Sequence, residues 1–127
     1  MSAWTNDELD RIAAAEELEL ASVRRDRTLR KPVTIWVVRH GDALYVRSAD
    51  GRGSTWFRGT RDSGEGHIHA GGVDKDVTFV EAGGEADDEI DVAYRTKYHR
   101  YDARYVDPIV SPEARAATLR LVPRSSS

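Results

Sequence analysis

The sequence predicts an α+β fold: a small six-stranded, mostly antiparallel split β-barrel with an N-terminal helix, a short helix after strand three and a longer helix before the last strand. Three observations carry this reading. Short runs of apolar/polar alternation recur along the chain, separated by Gly, Pro and Ser turns. The three-four apolar spacing of a longer helix is confined to the N-terminus and to a segment near residues 87–101. The stretch Val33 to Val38 is apolar on both faces, Val33, Ile35 and Val37 against Trp36 and Val38, so it is expected to be buried on both sides.

The elements follow in order. Thr5-Asn6-Asp7-Glu8 is a capping box, with Thr5 as N-cap and Glu8 three residues on. Trp4 and Leu9 stand at the spacing of a hydrophobic staple, and Leu9, Ile12 and Ala13 form the inner stripe of a helix running to about Ala15. Glu17 to Arg24 alternates, Leu18 and Leu20 against Glu19 and Ala21, and is the first strand. The basic run Arg24-Arg25-Asp26-Arg27 and Arg30-Lys31 loops into the next one, either as a solvated turn or as a basic rim near a bound anion. Pro32 opens the central strand, where its missing N–H is tolerated. Gly41-Asp42 turns the chain back through Leu44, Tyr45 and Val46. The loop Arg47 to Ser54 follows, and Ser54 caps a short helix to Thr60. His67 to Gly72 and Val73 to Ala82 are two further strands, with Gly71-Gly72 as bend or hairpin turn. Asp87 to Tyr101 reads as a helix from Ile90, Ala93, Tyr94, Lys97 and Tyr98. Its acidic first half and basic second half suit the helix dipole, and Asp91 stands four residues before Arg95, at ion-pair spacing. Ser111-Pro112-Glu113 opens a single helical turn, and Thr118 to Val122 is the last strand.

The 127 residues read as one domain, 1–127, with a frayed tail from about residue 124. A domain of this size buries roughly two-thirds of the surface its unfolded chain exposes, so it needs no disulfide or metal staple. There are no cysteines, which excludes disulfide frameworks, thiol nucleophiles and Cys-based metal sites and fits a cytoplasmic protein. Lys and Arg total 19 against 22 Asp and Glu, and the net charge of −3 argues against nucleic acid as a partner. No apolar run reaches the ~18 residues of a membrane span, and the acidic N-terminus is unlike a signal peptide. With no Cys, no Gly-x-Ser-x-Gly elbow and no Walker loop, nucleophilic and phosphoryl-transfer chemistry have no support.

Four groups of residues carry chemistry. Arg47, Ser48, Arg52 and Ser54, with Arg58 beyond, bring guanidinium groups, hydroxyls and a helix start into one loop, the donor set of an anion cradle; the same residues also suit a polar hairpin end. Trp36, Tyr45 and Trp56 either wall a planar ligand or belong to the core. His67 and His69 share one face of a strand, the spacing of two imidazole metal ligands, with Asp74 and Asp76 as the nearest acids; otherwise they serve hydrogen bonding or proton transfer. Tyr94, Tyr98, His99, Tyr101 and Tyr105, with Lys97, Arg100 and Arg104, make either a dimer surface or a half-buried helix.

The stretches "RKPVTIWVVRHGDALYVRS", "GHIHAGG", "DVAYRTKYHRY" and "TLRLVPR", with Trp4 and its acidic helix, resemble the bacterial family called domain of unknown function 2255 over nearly the whole chain. More distantly, the order of elements is similar to flavin-binding split barrels, among them pyridoxamine-phosphate-oxidase-like proteins and deazaflavin-dependent nitroreductases. The matching residues are Thr34-Ile35-Trp36-Val37-Val38, Gly41-Asp42, Ser48, Gly51 and Trp56. This resemblance implies cofactor phosphate near Ser48, Arg52 and Ser54, a flat ring against the backbone of Thr34 to Trp36, and a homodimer with the cofactor at its interface. Three functions stay open. The first is a small oxidoreductase binding FMN or deazaflavin, with Arg47, Ser48, Arg52 and Ser54 on the phosphate and Ile35, Trp36 and Trp56 around the ring. The second is the same barrel without a cofactor, binding or converting a small anionic or aromatic metabolite. The third is a metal-dependent enzyme using His67 and His69.

Overall fold

The computed structural model describes residues 3–124. Helix α1 (Asn6–Ala14) is followed by strands β1 (Leu18–Ser22), β2 (Val33–Ile35), β3 (Val38–His40) and β4 (Ala43–Arg47). A 3-10 turn (Gly51–Gly53) leads into α2 (Thr55–Ser63), then the hairpin β5 (Glu65–Ala70) and β6 (Val73–Glu81). Helix α3 (Asp87–Lys97), the short α4 (Ala103–Val106), a second 3-10 turn (Asp107–Val110), α5 (Pro112–Ala116) and β7 (Thr118–Pro123) complete the order. Among the described residues no helix is long and apolar enough to cross a membrane.

The seven strands form one antiparallel sheet in the order β2-β1-β5-β6-β7-β4-β3. Its two edge strands are consecutive in sequence, joined only by Trp36 and Val37. A flat sheet of seven strands would hold its edges about 29 Å apart at the usual interstrand spacing. The three peptide units from Ile35 to Val38 reach about 11 Å at most. The sheet therefore curls until its edges meet, and one bent segment, residues 33–40, closes the barrel: its first half pairs with β1 and its second with β4. The predicted six strands become seven because this central strand is broken at the bend. Burial on both sides holds only there, at Val37 and Val38; Val33 and Ile35 are half-buried and Thr34 is exposed.

The bend frees backbone groups that a continuous strand would pair, and α3 supplies their partners. Val37 N–H donates to Tyr98 Oη (3.2 Å), Tyr98 Oη donates to Glu16 O (2.7 Å), and Lys97 Nζ donates to Val37 O (2.7 Å). Burial alone lowers the Lys97 pKa to about 8; burial, with Tyr101 and Glu17 nearby, holds the Tyr98 phenol above its usual range against the bond to Val37.

Two apolar layers follow from strand alternation. Leu18, Leu20, Leu44, Val46, Ile68, Val77 and Leu121 point inward with Phe57 of α2. Helix α1 plugs one end with Leu9 and Ile12, and Trp4 Nε1 donates to Leu121 O (2.9 Å). The capping box forms as expected, Thr5 Oγ1 accepting from Glu8 N–H and Glu8 accepting from Thr5 N–H. On the outer face Val38 and Tyr45 meet Ile90 and Tyr94 of α3 and Tyr98 at its C-cap. Helix α3 ends at Lys97, four residues before the predicted Tyr101, which lies in the turn that follows. At the β5–β6 turn Gly71 and Gly72 both have positive φ, and a Cβ on Gly71 would stand 2.3 Å from Arg11 O, so the hairpin end sits directly on α1. Arg124, at the start of the expected frayed tail, donates its N–H to Asp76 O (2.8 Å) and pairs with Glu65 (3.0 Å); residues 125–127 lie outside the described residues.

Candidate functional site

The expected anion cradle does not assemble around the Arg47 loop. Arg47 continues the alternation of β4 outward, beneath α3, and its side chain is fully buried. It donates to Asp91 Oδ1 (2.5 Å), Thr118 Oγ1 (3.0 Å), Ile109 O (3.2 Å) and Asp87 O (3.2 Å). Asp91 therefore serves Arg47 and Arg115, not Arg95 as its spacing predicts; Arg95 pairs with Asp107 (3.3 Å). Arg52 is spent on Glu81 Oε1 (2.6 Å) and Ala116 O (2.9 Å), and Arg58 is exposed. Two guanidinium groups with their own carboxylates have little charge left for a ligand.

The predicted aromatic wall also divides. Trp36 stacks on Tyr98 (centroids 3.9 Å apart, planes at 6°) and tilts against Tyr101, in the outer layer with Tyr45. Trp56 and Ile35 belong with the inner core instead. His67 and His69 sit on the outer face of β5, opposite Asp76 and Asp74.

What the structure does bring together is Ser54 and Trp56 with the basic loop after β1. A cleft of about 570 Å³ opens between the β1–β2 hairpin and the start of α2. Leu20, Val33 and Trp56 give it an apolar floor, and Arg24, Arg30 and Lys31 a cationic wall. Asp50 is the one acid in its lining. Arg30 pairs with Asp62 (2.7 Å) as it crosses Gly59, where a Cβ would stand 3.2 Å from Arg30 Nε; that atom is buried with no partner among the described residues. Arg24 Nη1 donates only to Thr28 Oγ1 (3.3 Å) and Leu29 O (2.9 Å). Ser54 stands at the N-cap of α2 but its hydroxyl does not cap; it is 2.8 Å from Ser48 Oγ. The first-turn N–H groups of α2 thus keep no side-chain acceptor, and Ser54, Thr55 and Trp56 line the same cleft as the cationic wall. The basic rim was legible in the sequence as one of two readings of Arg24 to Lys31. Its joining to Trp56 was not, because it depends on where the β1–β2 hairpin folds over α2.

A family model described as "Uncharacterized protein conserved in bacteria (DUF2255)" matches residues 8–121. The chain belongs to this family. The DUF2255 fold is a split barrel, as its likeness to solved structures shows. The heme-storage protein HutZ of Vibrio cholerae superposes with a TM-score of 0.63 at 11% identity, covering 92% of this chain and 87% of that one. A conserved hypothetical protein of Mycobacterium tuberculosis gives 0.64 at 14% identity, covering 98% and 83%. An F420 reductase gives 0.56 at 12% identity, covering 93% and 92%. No curated protein matches the DUF2255 chain.

Proposed function

We propose that this protein binds a small anionic molecule with a flat ring in the cleft between the β1–β2 hairpin and α2, and that the ligand is a flavin or deazaflavin. One observation carries the reading: two cations without a carboxylate partner among the described residues, Arg24 and Lys31, an uncapped helix start and an indole line the same cleft of about 570 Å³, with Arg30 there already paired to Asp62. That volume lies in the range of small-molecule sites. A phosphate fits the donor set of Arg24, Lys31 and the α2 N–H groups, and the ring fits the apolar floor of Leu20, Val33 and Trp56. Arg47 and Arg52 do not fit a phosphate, because their carboxylate partners already occupy them. When bound, such a cofactor supplies hydride transfer; the protein's part is to orient it and to keep water from its ring. The solved F420 reductase of the same fold supports the choice of cofactor, and the heme-storage neighbour is a second ring-binding relative in shape. The reading includes a homodimer and a cytoplasmic site of action, the second in keeping with a chain without cysteine.

Titration of the protein with FMN and with F420, followed by quenching of tryptophan emission, tests this. Saturable quenching by one of them is expected. Lys31→Ala should weaken it by about tenfold, the usual worth of one charge-assisted contact. Arg52→Ala should leave it unchanged, since Arg52 answers to Glu81. Absence of quenching by both cofactors overturns the assignment, and an effect of Arg52→Ala equal to that of Lys31→Ala moves the site back to the Arg47 loop.

A further inference from the structure

Away from the cleft, the β5–β6 hairpin carries a compact group of titratable side chains. The register sets His69 opposite Asp74 and His67 opposite Asp76, and all four point outward while Ile68, Ala70, Val73 and Val77 point in. Asp74 Oδ1 lies 3.1 Å from His67 Nε2 and 3.0 Å from His69 Nδ1, so both imidazoles converge on one point. His67 Nδ1 is 2.9 Å from Asp76 Oδ1. A neutral imidazole has a single N–H. Once His67 gives its Nδ1–H to Asp76, its Nε2 lone pair faces the carboxylate of Asp74, two electron-rich atoms in contact. That arrangement asks for a positive charge between them, supplied either by a second proton on His67 or by a metal ion.

We propose that His67 and His69 chelate a first-row divalent cation such as Zn²⁺, with Asp74 as its counter-charge and Asp76 holding His67 in the ligating tautomer. Imidazole nitrogen is a ligand of choice for these ions. Donors around a tetrahedral zinc with bonds of about 2.0–2.1 Å stand about 3.3 Å apart, close to the spacing already present between Asp74 and each ring. Among the described residues no cage of three metal-ligating side chains is preformed, so the site is an open two-imidazole chelate whose remaining positions go to water or Asp74. Asp76 on the far nitrogen of His67 is the carboxylate–histidine arrangement that orients metal-binding rings. The strand pair keeps the four side chains in register, and the Gly71-Gly72 turn seated on α1 keeps its end in place. Both rings are reachable, with side chains 32% and 48% exposed.

Calorimetric titration of the tag-free protein with ZnCl₂ at pH 7.5 tests the site. Saturable binding of one ion per chain is expected. His67→Ala and His69→Ala should each weaken it by about tenfold or more, and Asp76→Asn by about tenfold. His40→Ala and His99→Ala should leave it unchanged. Circular dichroism confirms that each variant is folded. If no heat is released, a proton and not a metal holds the cluster together, and the proposal is overturned. It is equally overturned if the His67 and His69 variants bind as the parent does.

Discussion

Asp91→Ala is expected to lower the free energy of unfolding by about 3–5 kcal/mol, the cost of removing one partner from a buried ion pair. The Arg47 side chain is fully buried, and Asp91 is its close counter-charge; the nearer Asp87 carboxylate oxygen is 3.8 Å away. Asp91 also receives Arg115 Nε at 3.0 Å, but Arg115 keeps Asp88 (3.2 Å), so the substitution strands Arg47 above all. Urea unfolding measures the loss. The double variant Arg47→Met, Asp91→Leu separates the causes. It removes both charges from the interior and should recover most of the stability, because the cost lies in stranding a charge more than in losing the pair. A double variant as unstable as Asp91→Ala would show instead that packing at α3 sets the cost.

The same pair fixes how stability depends on acid. Burial pushes the Asp91 carboxyl up, but Arg115 and Arg47 outweigh it and its pKa lies below the ordinary aspartate value. A carboxylate with a depressed folded pKa contributes stability that is whole above its unfolded pKa of about 3.9 and is lost as pH falls through the folded one. Stability of the parent should therefore fall more steeply below about pH 4 than that of the Arg47→Met, Asp91→Leu variant, in which this linkage is absent.

These residues also show where the sequence stops being readable. Elements with local causes were legible: the Thr5 capping box, the Gly71-Gly72 hairpin and the Ser111-Pro112 helix start all form as their short-range chemistry dictates. Arg47 was not. Alternation along β4 puts it on the outer face, and an outward arginine reads as solvated or ligand-facing. Only α3, some forty residues later, makes that face an interior. Asp91 was matched to Arg95 because helical spacing considers only partners on its own helix; its actual partners come from β4 and α5. The candidate site follows the same logic. Ser54, Trp56 and the basic loop were each singled out, but they become one cleft only through the fold of the β1–β2 hairpin over α2.

The second large effect is expected at Tyr98, and it tests how the barrel closes. Tyr98→Ala should cost about 3–5 kcal/mol, as for other buried aromatic truncations, and Tyr98→Phe about 1–3 kcal/mol, the cost of stranding buried polar groups. The two substitutions part the ring from the hydroxyl. Phenylalanine keeps the stack on Trp36 and the packing against Tyr94, but leaves Val37 N–H and Glu16 O without the phenol that joins them. Lys97 Nζ still holds Val37 O, so the bend is weakened on its donor side only. Amide exchange at Val37 should therefore quicken in Tyr98→Phe while amides of the β5–β6 ladder, on the far side of the barrel, keep their protection relative to global unfolding. Exchange that quickens uniformly would mean the hydroxyl stabilises the fold as a whole and not the junction. The junction is the more demanding place, because there one segment serves two edges and its backbone has no strand left to pair with.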